Sequence, residues 1–150
     1  MSLFELTRAL VDIESTTNHE KNVSDYLFAH LSALVTRHKG HLERIPAVPN
    51  RDNIFASWGE PVVTLSTHMD TVPPFFASHE DGDFIWGRGS CDAKGIIAAM
   101  IANVRRKRKT GQLLLVSGVI GMLAIALPEL LKFPVSCPPS LTSSAWPYLL

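Results

Sequence analysis

Near the N-terminus, apolar positions recur with helical spacing. Leu3, Leu6, Leu10 and Ile13 mark a short amphipathic first helix, and Ser15-Thr16-Thr17-Asn18 ends it. Thr17 and Glu20 stand at capping-box spacing and predict the start of a second helix. Its apolar stripe is Val23, Leu27, Leu31, Leu34 and Val35, with Tyr26 beside it, and Gly40 is its natural stop. Both helices read as a layer packed on a sheet, with His30 and His38 on the surface.

Beyond Gly40 the pattern becomes that of strands. His41 to Ile45 and Asn53 to Trp58 are short strand candidates, with Pro46, Pro49 and Asn50 marking a loop between them. Val62 to Thr67 is rich in β-branched residues and mostly apolar, as a buried central strand is, and it ends at His68. Val72-Pro73-Pro74 to Gly82 is excluded from helix and central strand by its prolines. Phe84 to Trp86 reads as a short strand, and Leu113 to Ser117 as another. Between them Ala93 to Lys109 reads as a helix, with Asp92 at its N-cap and five consecutive cations, Arg105 to Lys109, at its C-terminus. Alternation of helices and strands predicts an α/β layered domain with a mostly parallel sheet flanked by helices.

Charge changes this picture little in sum and more in distribution. Fourteen basic and fourteen acidic residues cancel, which removes any global electrostatic reason to expect a nucleic-acid partner. Thirteen of the acids lie at or before Asp92, and all six histidines at or before His79. The last third of the chain therefore holds almost no ligand chemistry. Cys91 and Cys137 form no disulfide framework or zinc knuckle and suit a reducing compartment. The N-terminus has no secretory pattern, so the expected location is cytoplasmic.

The candidate chemistry lies in Leu65 to Ala99. A histidine at the carboxyl end of a buried strand sits where open α/β sheets bind ligands. In extended chain Asp70 points to the same side as His68, where a carboxylate can take the second ring N–H and fix the tautomer. Asp92 adds a second carboxylate, and an imidazole–carboxylate mix suits zinc. Each part also has a structural explanation: His-x-Asp is common, and Asp92 alone would serve as an N-cap. Cys91 reads as a small packed residue, and His79 as a surface residue in a loop.

Taken together, Ser66-Thr67-His68-Met69-Asp70-Thr71-Val72-Pro73 and Trp86-Gly87-Arg88-Gly89-Ser90-Cys91-Asp92-Ala93-Lys94-Gly95 resemble the co-catalytic di-zinc peptidases and deacylases. That family includes acetylornithine deacetylase, succinyl-diaminopimelate desuccinylase, aminoacylase and the glutamate carboxypeptidases. The resemblance covers residues 3–118. It implies that His68 ligates one zinc, that Asp70 is the acidic residue that orients this histidine and counts as catalytic, and that Asp92 bridges two zincs. It also implies a cis peptide bond after Asp92. The implied reaction is hydrolysis of the amide bond of an N-acyl amino acid or short peptide by zinc-activated water.

The pattern then breaks. Relatives place Gly-Glu-Glu after the strand that follows the Asp92 helix, supplying the general base and a zinc ligand. Here Gly118 is followed by Val119 and Ile120. The later ligands of relatives and their inserted dimerisation domain have no counterpart in this sequence. We therefore expect residues 1–118 to be the N-terminal part of a metallohydrolase catalytic domain. Residues 119–150 read as an aberrant apolar and Pro/Ser-rich tail from a truncated or frameshifted reading frame. Weak or partial zinc binding and no hydrolysis follow from that ligand count. A different class of function is a non-catalytic remnant, or a protein tethered to a membrane by the uncharged run Leu113 to Leu127. That run is short of the roughly 20 residues a span needs, so a membrane partner is not favoured.

Overall fold

The computed structural model describes residues 1–59, 64–106 and 113–118. Three helices, α1 (Leu3–Val11), α2 (Lys21–His38) and α3 (Lys94–Arg106), accompany six strands. The strands are β1 (His41–Val48), β2 (Arg51–Trp58), β3 (Thr64–His68), β4 (His79–Asp81), β5 (Phe84–Trp86) and β6 (Leu113–Gly118). The α/β class expected from the alternation is the one observed.

The main sheet has the order β1-β2-β6-β3 and is mixed. β1 and β2 form an antiparallel hairpin, and β2 runs antiparallel to β6. Only β3 and β6 are parallel, from Thr64 opposite Leu114 to His68 opposite Gly118. The expectation of a mostly parallel sheet is thus corrected. A short connection allows only an antiparallel return between β1 and β2, whereas the chain from β3 to β6 carries α3 and permits a parallel one. The connection between β1 and β2 is also tighter than expected. Pro46 lies inside β1, beside a register irregularity, and is tolerated because β1 is a sheet edge. The turn is confined to Pro49 and Asn50, the latter left-handed at φ 62°.

β2 buries Ile54, Ala56 and Trp58 on alternate positions, and α2 covers that face with Val23, Leu27, Leu31 and Leu34. This is the predicted stripe. α1 packs against α3, bringing Leu6 and Leu10 into one core with Ile97, Ala98, Met100 and Ile101. Ile13 lies beyond the end of α1, packed against that core rather than within the helix.

The capping box falls elsewhere than expected. Ser2 and Glu5 form one at α1, with Glu5 N–H donating to Ser2 Oγ at 3.2 Å and Ser2 N–H to Glu5 Oε2 at 2.6 Å. At α2, Glu20 is itself the N-cap residue and makes no side-chain cap. Its carboxylate instead accepts from Arg51, Nε at 2.9 Å and Nη2 at 2.6 Å. Lys39, at φ 54°, ends α2 one residue before the expected Gly40.

The loop after β3 is shorter than predicted. β4 and β5 pair as a hairpin around Gly82, whose φ of 58° supplies the turn. His79 therefore lies on a strand, exposed and stacked on Trp86 at 6.3 Å. α3 begins at Lys94, one residue later than expected, and residues 107–109 of the predicted helix lie outside the described residues. So do residues 119–150. The first part of the run considered as a membrane segment, residues 113–118, is strand β6. No helix among the described residues is long and apolar enough to cross a membrane.

Candidate functional site

The site begins where β3 ends. Met69 is fully buried, so the flanking His68 and Asp70 share the opposite side of the chain. His68 Nδ1 lies 3.0 Å from the Asp70 carbonyl oxygen and 3.1 Å from Asp70 Oδ1. On the other edge of the ring, Nε2 lies 3.1 Å from Asp92 Oδ1. The imidazole thus sits between two carboxylates. Its burial works against a charge, but the Asp70 carbonyl and the charges of Asp92 and Asp70 outweigh it. The His68 pKa is therefore raised above the ordinary imidazole value.

Asp92 reaches this position from the loop that leads into α3. Gly87 and Gly89 take φ values of 152° and 88°, which side-chain-bearing residues rarely adopt. The Gly89 carbonyl then accepts the Lys94 N–H at 2.9 Å, tying the loop to the first helical turn. Gly95 permits this close approach, since a Cβ there would stand 2.0 Å from the Ser90 carbonyl oxygen. The Asp92–Ala93 peptide bond is cis, as the resemblance implies. Asp92 is not the N-cap of the helix, a correction to the sequence expectation. It lies two residues ahead of Lys94, and its largely exposed carboxylate turns to His68.

Two further groups escaped the sequence argument. Thr17 Oγ1 donates to Asp70 Oδ2 at 3.0 Å. Lys94 is fully buried, with Nζ donating to the Ile13 carbonyl oxygen. Burial pushes its ammonium down to about 8, against the opposing charges of Asp12 and Glu14. A signal for Lys94 was present in the pattern: it stands on the same helical stripe as Ile97, Ala98 and Ile101.

His68, Asp70, Thr71, Arg88 and Asp92 line an open cleft of about 320 Å³. Cys91 lies on the same cleft and is exposed, contrary to its reading as a packed residue. Arg88 is held at the rim, its Nε donating to the Pro74 carbonyl oxygen at 3.0 Å and its guanidinium 4.7 Å from the Phe76 ring centroid. The donor types fit zinc: an imidazole nitrogen facing a carboxylate, with a second carboxylate behind the ring. Among the described residues no group of three or more His, Cys, Asp or Glu side chains is arranged to hold a metal ion.

An imidazole flanked by carboxylates at the carboxyl end of a parallel strand, within an α/β layer, stands where such sheets bind ligands. Residues 64–119 match the model of peptidase family M20/M25/M40, and the chain is a fragment of that family. A peptidase M20 domain-containing protein of Schizosaccharomyces pombe is 43% identical over 107 residues, covering 67% of this chain and 26% of the relative. A probable carboxypeptidase of Aspergillus flavus is 36% identical over 115 residues, covering 66% and 28%. A putative LysW-lysine/LysW-ornithine hydrolase of Pyrococcus abyssi is 33% identical over 95 residues, covering 63% and 26%. The chain thus spans about a quarter of the length of the curated relatives it matches.

Proposed function

We propose that the chain carries the N-terminal part of a zinc-dependent hydrolase that cleaves the amide bond of N-acyl amino acids or short peptides, and that the chain itself does not complete the reaction. The observation that carries this reading is the convergence of His68 and Asp92 at 3.1 Å with Asp70 behind the ring. His68 Nε2 and Asp92 would hold the ion, and Asp70 would orient His68 through Nδ1. Zinc, when bound, polarises a carbonyl and activates water.

The incompleteness has its own support. β6 ends at Gly118, directly opposite His68, and the next two residues in sequence are Val119 and Ile120. Neither side chain can take a proton or donate a lone pair, so the described residues bring two candidate ligands together where zinc sites use three or four. Residues 119–150 we assign to an aberrant tail, and we place the protein in the cytoplasm from its cysteine usage.

Metal analysis of the purified chain together with an N-acetyl-amino-acid hydrolysis assay tests this. Less than one zinc per chain and no turnover are expected, and His68→Ala should abolish the residual zinc binding. Stoichiometric zinc with turnover would overturn the incomplete-site argument. Zinc binding unchanged by both His68→Ala and Asp92→Ala would overturn the metal assignment itself.

A further inference from the structure

The segment between α1 and α2 is strapped alongside the chain that leaves β3. Thr17 N–H donates to the Thr71 carbonyl oxygen at 3.2 Å, and Thr71 N–H to the Ser15 carbonyl oxygen at 2.8 Å. Ser15 Oγ donates to the Met69 carbonyl oxygen at 2.8 Å. Residues 15–17 are therefore held in register beside residues 69–71. The strap is anchored beneath as well. Asn18, left-handed at φ 79°, donates its N–H to Glu20 Oε1 at 3.0 Å and accepts Arg51 Nη1 at 2.9 Å.

We propose that Thr17 is a positioning residue for His68, acting through Asp70. The two carboxylate oxygens of Asp70 are divided: Oδ2 accepts from Thr17 and Oδ1 faces His68 Nδ1. A carboxylate free to rotate about its terminal torsion presents no fixed edge to the ring. With Oδ2 held by a hydroxyl on a strapped segment, Oδ1 is aimed at Nδ1, which keeps the ring proton there. Nε2 is then the nitrogen left to give its lone pair to an ion held between it and Asp92, the form a metal ligand requires. The proposal rests on the metal reading above only for that last consequence.

Thr17 is exposed, so exchanging its hydroxyl for a methyl opens no cavity. The test uses the full chain, metal-free and labelled with ¹⁵N-histidine, at alkaline pH where the ring is neutral. Wild type should show the larger share of the Nδ1–H tautomer of His68, with Asp92 competing for the proton at Nε2. Thr17→Val should show a smaller Nδ1–H share with an unchanged melting temperature, and Thr17→Ser should restore the wild-type share. Titration with zinc alone should then give about tenfold weaker binding for Thr17→Val than for the other two. Identical His68 spectra in wild type and Thr17→Val would overturn the proposal, since the Asp70 backbone carbonyl would then suffice to hold the ring. A tautomer change without zinc binding in any of the three proteins would support the positioning role and overturn the metal reading instead.

Discussion

Glu20 has no exposed surface, and Arg51, its bidentate partner, is 15% exposed at the side chain. Removing one member of such a pair leaves a buried charge without compensation, which costs about 3–5 kcal/mol. Arg51→Met is therefore expected to lower unfolding stability by about 3 kcal/mol or more, read by urea denaturation. The double change Glu20→Met with Arg51→Met should recover much of that loss, because no charge then remains buried. A double variant less stable than Arg51→Met would show that the pair contributes beyond charge compensation. Lys94 gives a prediction in pH. Its ammonium loses its proton at about 8 in the folded chain, and at roughly 10.4 in an unfolded one. Between those values the unfolded state binds more protons, so raising the pH through this window stabilises the fold. Thermal melts from neutral to strongly alkaline pH should show wild type gaining relative to Lys94→Met, and parallel profiles would refute the assignment.

At the scale of elements, the first turn of α3 and the loop before it form one unit. Gly95 lets the Ser90 carbonyl press on the helix, and that oxygen belongs to backbone that cannot swing aside. Gly95→Ala is expected to cost about 1–3 kcal/mol as overpacking, and to shift Asp92 away from His68. The His68 ring signals and a denaturant titration would register both effects, and a change in stability alone would separate the loop from the site. The elements themselves were legible where burial is periodic: the stripe of α2 and the alternation of β2 follow the apolar pattern. The site was legible in part. His68 and Asp70 lie close in sequence, and extended geometry already puts them on one side. Their meeting with Asp92 was implied by the resemblance rather than by spacing. What stayed hidden depends on long-range partners. Thr17 and Glu20 have the spacing of a capping box, yet one hydroxyl goes to Asp70 and the carboxylate goes to Arg51. Local spacing states which bonds are available to these residues, and the rest of the fold decides which of them form. Pro46 within β1 is the same lesson at a sheet edge, where the missing N–H has no neighbour to serve.

For the whole molecule, the question is which residues the fold needs. The cluster that joins helices to sheet runs from Leu6 through Ile54 and Met69 to Val104 among the described residues. β6 then binds β2 on one side and β3 on the other, ending at Gly118. Within the sheet it is the strand that joins the β1–β2 hairpin to the strand that carries His68 among the described residues. Without β6, both β2 and β3 would present unpaired backbone edges, which favour association between chains. Among the described residues the pairings of the sheet end with β6, and the sequence beyond holds one acid, Glu129, and one base, Lys132. Two shortened chains separate these contributions. A chain ending at residue 118 is expected to unfold cooperatively, with a midpoint near that of the full chain, unchanged His68 ring signals and higher solubility. A chain ending at residue 106 lacks β6 and should lose the cooperative transition and self-associate in size-exclusion chromatography. If the chain ending at 118 also lost its transition, the domain boundary proposed at Gly118 would be wrong, and the apolar residues beyond it would have to be counted as part of the core.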